Sequence, residues 1–139
     1  MTWSFVVPGE AVAKGRPRAS IAPGGQFARM YTPQKSARFE QLVSLHAREQ
    51  IGLQRIEGPL RVTLDAFFEW PRAKWRSRDP RGQAPMTEKP DADNIAKALL
   101  DGLSAWFADQ QVAELVVRKW RAAQGEPARS EIKIEKLGG

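Results

Sequence analysis

From Leu60 onward the chain alternates with period two. Leu60, Val62, Leu64, Ala66 and Phe68 fall on one side, while Arg61, Thr63, Asp65 and Glu69 fall on the other. That is the pattern of a strand with one buried face. Trp3–Val7 reads as an earlier strand closed by Pro8-Gly9, and residues 19–31 carry Pro23-Gly24-Gly25 between β-prone pieces, as in a hairpin that ends in Phe27 and Tyr31. A four-residue rhythm follows. Thr32 has the chemistry of an N-cap and Pro33 of a first helical residue, which predicts a helix to about Gln50 with Gly52 as its stop. Phe39, Leu42, Val43 and His46 would form its core-facing stripe. Ile95, Leu99 and Leu103 predict a second helix by the same spacing. Val112–Arg121 reads as a strand with Ala113, Leu115 and Val117 on one face and Glu114 and Arg118 on the other, Val116 and Trp120 interrupting the alternation. A turn at Gly125 and Pro127 leads to a last strand over Glu131–Leu137. Residues 71–90 show no apolar period and predict a long loop. The order predicts a single α/β (α+β) domain over residues 1–139, with a mixed sheet and two main helices.

Charge gives this outline a direction. The 139 residues carry a net +6 and no cysteine, which excludes disulfide frameworks, thiolate metal sites and a cysteine nucleophile. No apolar run approaches a membrane span and no basic, apolar leader opens the chain, so the expectation is a cytoplasmic protein with no membrane partner. The cations concentrate in two places. Lys14, Arg16 and Arg18 are set among Gly15 and Pro17, which keep the backbone out of a helix. The 71–90 loop holds six cations against two acids, with Trp75 among Lys74, Arg76 and Arg78. An aromatic ring inside a basic patch suits stacking on nucleic acid, although a merely solvating loop has the same composition. Phe27 is a further candidate for probing DNA, although a side chain packed in the hairpin is the more common use of such an aromatic. His46 is the only histidine and lacks a second one to share a metal, so it reads as a packing or interface residue.

Against this background the acids of Lys89–Val112 stand out: Asp91, Asp93, Asp101 and Asp109, with Asn94 and Lys97 between them. Capping explains part of the pattern. Asp93 or Asn94 can cap the helix, Asp91 can complement its dipole, and Lys97 can bridge Asp101 one turn on. One cap needs one acid, however, and Asp109 is left over. Hard oxygen ligands without Cys or His suit Mg²⁺, or Mn²⁺, held by a few carboxylates together with substrate phosphate. Lys97 lies one turn from Asp93 and could offset charge building on that phosphate. Asp65, on the polar face of its strand, could lean toward the same ion.

These residues carry a family resemblance. Asp91-x-Asp93-Asn94-x-x-Lys97-x-x-x-Asp101, followed by Trp106-Phe107-x-Asp109-x-Gln111-Val112, resembles the core of the RusA-type Holliday-junction resolvases. Lys14-Gly15-Arg16-Pro17-Arg18 is similar to an N-terminal element of phage and prophage members. The resemblance implies that Asp91, Asp93 and Asp109 are magnesium-binding catalytic acids and Lys97 a catalytic lysine, with Asn94 and Asp101 in support. It further implies a homodimer of small α/β subunits that makes paired nicks across a four-way DNA junction. Ala108 departs from the pattern, standing where many members carry a first acid beside the second. Two alternatives remain open at this point: a branched-DNA-binding protein without catalysis, and a metal phosphohydrolase of small substrates.

Overall fold

The fold is described from a computed structural model for residues 1–15, 18–21, 28–31 and 34–138, with the backbone alone described for 18–21 and 28–31. The strands are β1 (Thr2–Pro8), β2 (Arg18–Ile21), β3 (Ala28–Tyr31), β4 (Leu60–Phe68), β5 (Ala84–Pro85), β6 (Val112–Arg121) and β7 (Arg129–Lys136). The helices are α1 (Gln34–Ile51) and α2 (Ala92–Gly102). β2 and β3 pair antiparallel as a separate two-stranded hairpin, as the Pro-Gly-Gly signal predicts. Thr32, Pro33, Phe27 and Arg16 lie outside the described residues.

The main sheet has five strands in the order β1-β7-β4-β6-β5. β4 and β6 run parallel and the other pairings are antiparallel, so the sheet is mixed and the domain is α+β. A parallel pair needs a crossover, and α2 supplies it between β4 and β6. One face of the sheet carries Leu60, Val62, Leu64, Ala66 and Phe68 of β4, Ile132 and Ile134 of β7, and Phe5 and Val7 of β1, all buried in one core with the helices. The other face is open and carries Ser4, Val6, Arg61, Thr63, Asp65, Glu114, Val116, Arg118 and Lys133 along a groove of about 710 Å³.

Three expectations change. The buried stripe of α1 is Ser36, Phe39, Val43, Ala47 and Ile51. Leu42 is 39% exposed and Leu45 52%, and His46 is half-buried at the edge, so the core-facing stripe is turned from the one predicted. α1 offers two apolar edges, and the small one wins because α2 comes very close. At Gly102 a Cβ would lie 2.9 Å from the Glu40 carbonyl oxygen and 3.0 Å from Val43, so bulk is excluded there. The second change concerns β6, whose alternation is unbroken: Val116 shares the open face with Glu114 and Arg118, and Trp120 bonds Asp65 there. The third concerns residues 71–90. They contain a 3-10 turn at Arg72–Lys74 and the two-residue strand β5, paired to Arg121 and Trp120 of β6.

Candidate active site

α2 begins where the chain leaves β5. Asp91 is its N-cap, with extended dihedrals (φ −71°, ψ 143°), and its carboxylate makes no capping hydrogen bond. Asp93 follows in the first turn. Both carboxylates are exposed, and among the described residues neither takes part in a hydrogen bond or ion pair. The positive end of the helix dipole favours negative charge here. Two acids are thus held side by side at a helix start without a partner among the described residues. Ile95 and Leu99, both fully buried, fix the helix on the sheet and so fix the direction in which its first turn faces.

Lys97 lies one turn from Asp93, exposed and without an ion pair among the described residues. The expected Lys97–Asp101 bridge is absent there, because Asp101 is taken by Lys14. The Lys14 ammonium lies 2.9 Å from both Asp101 and Glu40, and its backbone N–H donates to the Asn94 carbonyl at 2.9 Å. Partial burial pulls its pKa down, but the hydrogen bonds it donates to Asp101 and Glu40 outweigh that and raise it above the ordinary lysine value. Lys14 was expected to splay toward phosphate; it binds α1 to α2 instead. The contact of Asn94 with Lys14 is made through its backbone carbonyl. By taking Asp101, Lys14 leaves Lys97, beside Asp93, without an ion pair among the described residues.

A residue that sequence reasoning passed over holds Asp91 in place. Lys119 of β6 donates from Nζ to the carbonyls of Glu88 (2.7 Å) and Pro90 (2.9 Å), and its own carbonyl accepts from the Met86 N–H at 3.0 Å. Beside it, Arg121 pairs with Glu88 at 2.8 Å, and that hydrogen bond pulls the Glu88 carboxyl below its usual range. The register gives the signal: Lys119 pairs with Ala66, so it stands on the helix-side face, where an unpaired lysine needs acceptors.

The basic segment 71–85 is folded against the same end of β6. Arg81 and Arg121 stack over Trp70 at 5.1 and 5.9 Å, and Arg72 lies 4.2 Å over Trp75. Trp75 Nε1 donates to the Trp70 carbonyl at 2.9 Å. The Gln124 side chain accepts from the N–H groups of Arg76 (3.0 Å) and Arg81 (3.2 Å) and donates to the Arg76 carbonyl at 2.9 Å. Lys74, Arg76 and Arg78 are exposed, and among the described residues their side chains make no ion pair. The Arg18 backbone is in β2.

Asp109 is elsewhere. It opens the 3-10 turn Asp109–Gln111 just before β6, where Gln111 accepts from the Ala108 N–H at 2.8 Å and donates to the carbonyls of Ile56 and Gly58. Pro90, the residue before Asp91, is tied to β6 by the bond from Lys119 Nζ to its carbonyl. Seven strand steps separate Val112 from Lys119, so at about 3.3 Å per residue the two ends of β6 are roughly 23 Å apart. Among the described residues no three acids or histidines form a group able to hold a metal ion. Asp65 is not near the site either. It is on the open face, 3.1 Å from Arg118, and accepts from Trp120 Nε1 at 2.9 Å.

Comparison with known proteins assigns the chain. A family model described as endodeoxyribonuclease RusA matches residues 8–135. The chain belongs to the RusA endodeoxyribonuclease family. A curated relative, the uncharacterized protein YqaN of Bacillus subtilis (strain 168), is 34% identical over 140 residues, covering 96% of this chain and 95% of its own length. RusA membership implies a nuclease of Holliday-junction resolution. No helix among the described residues is long and apolar enough to cross a membrane.

Within this RusA-family chain the acids divide into two groups. Asp91 and Asp93 fit a hard divalent cation, being exposed oxygen donors with no competing cation among the described residues. Asp109 does not join them within one chain.

Proposed function

We propose that the protein is a Mg²⁺-dependent, structure-selective endodeoxyribonuclease that resolves four-way DNA junctions by paired phosphodiester cleavage as a homodimer, with Mn²⁺ as a possible substitute ion. The observation that carries the reading is the pair of carboxylates at the start of α2 that have no partner among the described residues, beside a Lys97 likewise without one and on the same end of β6 as the tryptophan-arginine segment. Asp91 and Asp93 hold the metal. When bound, such an ion supplies Lewis acidity toward a phosphodiester oxygen and makes water a better nucleophile at neutral pH. Lys97 contacts the phosphate under attack and offsets the negative charge that grows on it. Lys74, Arg76 and Arg78 hold the flanking backbone, with Trp75 as a stacking surface; Arg16 and Arg18 add to this contact. Asp109 enters as a third metal ligand from a second copy of the chain, since its own chain keeps it at the far end of β6. A two-fold dimer also provides the two sites that paired nicking needs.

The test is a synthetic four-way junction and a linear duplex of the same sequence, each incubated with Mg²⁺, Mn²⁺ or chelator. The junction is cut with metal and left whole with chelator, and the duplex is left whole throughout. A junction that survives every divalent condition sinks the proposal. One observation favours a second reading, a branched-DNA-binding protein without catalysis: no complete metal group forms among the described residues of a single chain. That reading requires tight junction binding and no cleavage from the unaltered protein.

A further inference from the structure

Asp91 lies between two peptide groups that are held independently. On the helix side, its own carbonyl accepts from the Ile95 N–H at 3.1 Å, the first bond of the α2 ladder. On the other side, the carbonyl of Pro90, which shares a peptide with the Asp91 N–H, accepts from Lys119 Nζ at 2.9 Å. Lys119 also takes the Glu88 carbonyl at 2.7 Å, and among the described residues neither carbonyl has another donor. The Asp91 carboxylate makes no capping bond of its own. Its placement therefore depends on one anchor in α2 and one in β6, whereas Asp93, inside the first turn, is placed by α2 alone. Arg121 stands one strand period after Lys119 on the same face and braces the same segment. It meets the Glu88 carboxylate at 2.8 Å and donates to the Glu69 carbonyl at 2.9 Å. Met86, buried in the core, fixes the start of the segment, and its N–H donates to the Lys119 carbonyl at 3.0 Å.

We propose that Lys119 is a positioning residue that sets the distance between the Asp91 and Asp93 carboxylates, with Arg121 as its brace through Glu88. Mg²⁺ demands near-ideal geometry from ligands at about 2.0–2.1 Å. An Asp91 free to drift against Asp93 would bind it less well, although both carboxylates were still present. Two of the three donors of the Lys119 ammonium are committed to carbonyls, which separates its task from that of Lys97. Lys97 is exposed and free among the described residues to meet a phosphate; Lys119 is half-buried and already engaged. Packing alone does not account for Lys119 either, since the methylene stem would serve that purpose without the two bonds. The two bonds go to alternate carbonyls of the segment that ends at Asp91, so they stiffen the approach to the site and not the strand that carries the lysine. Groups that hold a ligand without touching the ion can change metal affinity by about 10–100-fold.

The inference rests on the reading of Asp91 and Asp93 as metal ligands, and its test reads metal binding by the full chain without DNA. Mn²⁺ alone is titrated, and the free ion is followed by electron paramagnetic resonance. Lys119→Met keeps the stem and removes the donors; it should weaken Mn²⁺ binding about tenfold. Lys119→Arg, which still has donors for both carbonyls, should recover most of that loss. Glu88→Gln alters an exposed side chain and so remains informative even if Lys119→Met fails to fold. It should weaken Mn²⁺ binding about threefold, the scale of an exposed ion pair. With a four-way junction as substrate, Lys119→Met should need about tenfold more metal for half its maximal rate. The KM for the junction and the salt slope of junction binding should stay at parental values. Parental Mn²⁺ affinity in Lys119→Met or in Glu88→Gln, a Lys119→Arg protein as weak as Lys119→Met, or a lowered salt slope would each overturn the positioning role. A parent that binds Mn²⁺ and shows these losses but cuts nothing removes the nuclease reading and leaves the positioning role standing. A parent that binds no Mn²⁺ removes both.

Discussion

The start of α2 and the open face of the sheet are both rich in charge, and they use it in opposite ways. On the open face the charges find each other. Asp65 takes Arg118 and the Trp120 N–H, Arg61 lies between Glu114 and Glu135, and Lys133 also reaches Glu135. At the start of α2, Asp91, Asp93 and Lys97 keep no partner among the described residues, although cations are close by. Those cations are employed elsewhere: Lys14 on Asp101 and Glu40, Lys119 on two carbonyls, Arg121 on Glu88. An ion pair that satisfies itself contributes modestly to stability and offers little to a ligand. Unpaired carboxylates beside an unpaired lysine are the arrangement a metal and a phosphate require. The groove of the open face and the candidate chemistry are therefore on different surfaces of the molecule.

That contrast can be broken experimentally, and the largest effect should come from Asp93→Asn. Cleavage of a four-way junction should fall by at least about 10²-fold, the scale of losing one group that stabilises transition-state charge. Gel-shift affinity for the junction should remain, and a variant that still cuts at the parental rate would show that the unpaired acids are ordinary surface. Next in size is a complementation. Asp93→Asn and Asp109→Asn proteins, each inactive, should regain nicking when refolded together, since one site in the mixed dimer has all its acids; a mixture as inactive as its parts would place Asp109 outside the site. Arg76→Ala/Arg78→Ala should weaken junction binding and lower the slope of log affinity against log salt by about 1.8, at roughly 0.9 per phosphate contact. An unaltered slope would take those arginines off the DNA. The smallest effect belongs to the open face. Asp65→Asn should leave cleavage unchanged and cost about 1 kcal/mol in denaturant unfolding, the loss of one partly exposed ion pair and a weaker hydrogen bond.

What was legible in the sequence follows from the range of the interactions. β4 announces itself because period-two alternation is a property of consecutive residues, and all five of its predicted inward side chains are buried. Ile95, Leu99 and Leu103 were readable for the same reason and are fully buried. α1 was readable as a helix but not in its rotation: periodicity finds two apolar edges, and only the approach of Gly102 selects the narrow one. The acids of α2 were visible as a motif. The partner of Asp101 was not, because Lys14 reaches it across 87 positions of sequence and the local i, i+4 rule points to Lys97 instead. The separation of Asp109 was hidden likewise, since eighteen positions along the chain look short until a helix and a strand lay them out end to end. Lys119 would have been found by asking why a lysine shares a strand face with Leu115 and Val117.

Gln124 shapes what a salt titration will report. The hydrogen bonds its side chain shares with the backbone of residues 76 and 81 join neutral groups, so counterions do not screen them and protons do not titrate them. The arginine-bearing segment should then keep its shape from dilute buffer to molar salt and across the physiological pH range. A fall in DNA affinity over that range measures the release of ions from phosphates and not the melting of the surface that holds them.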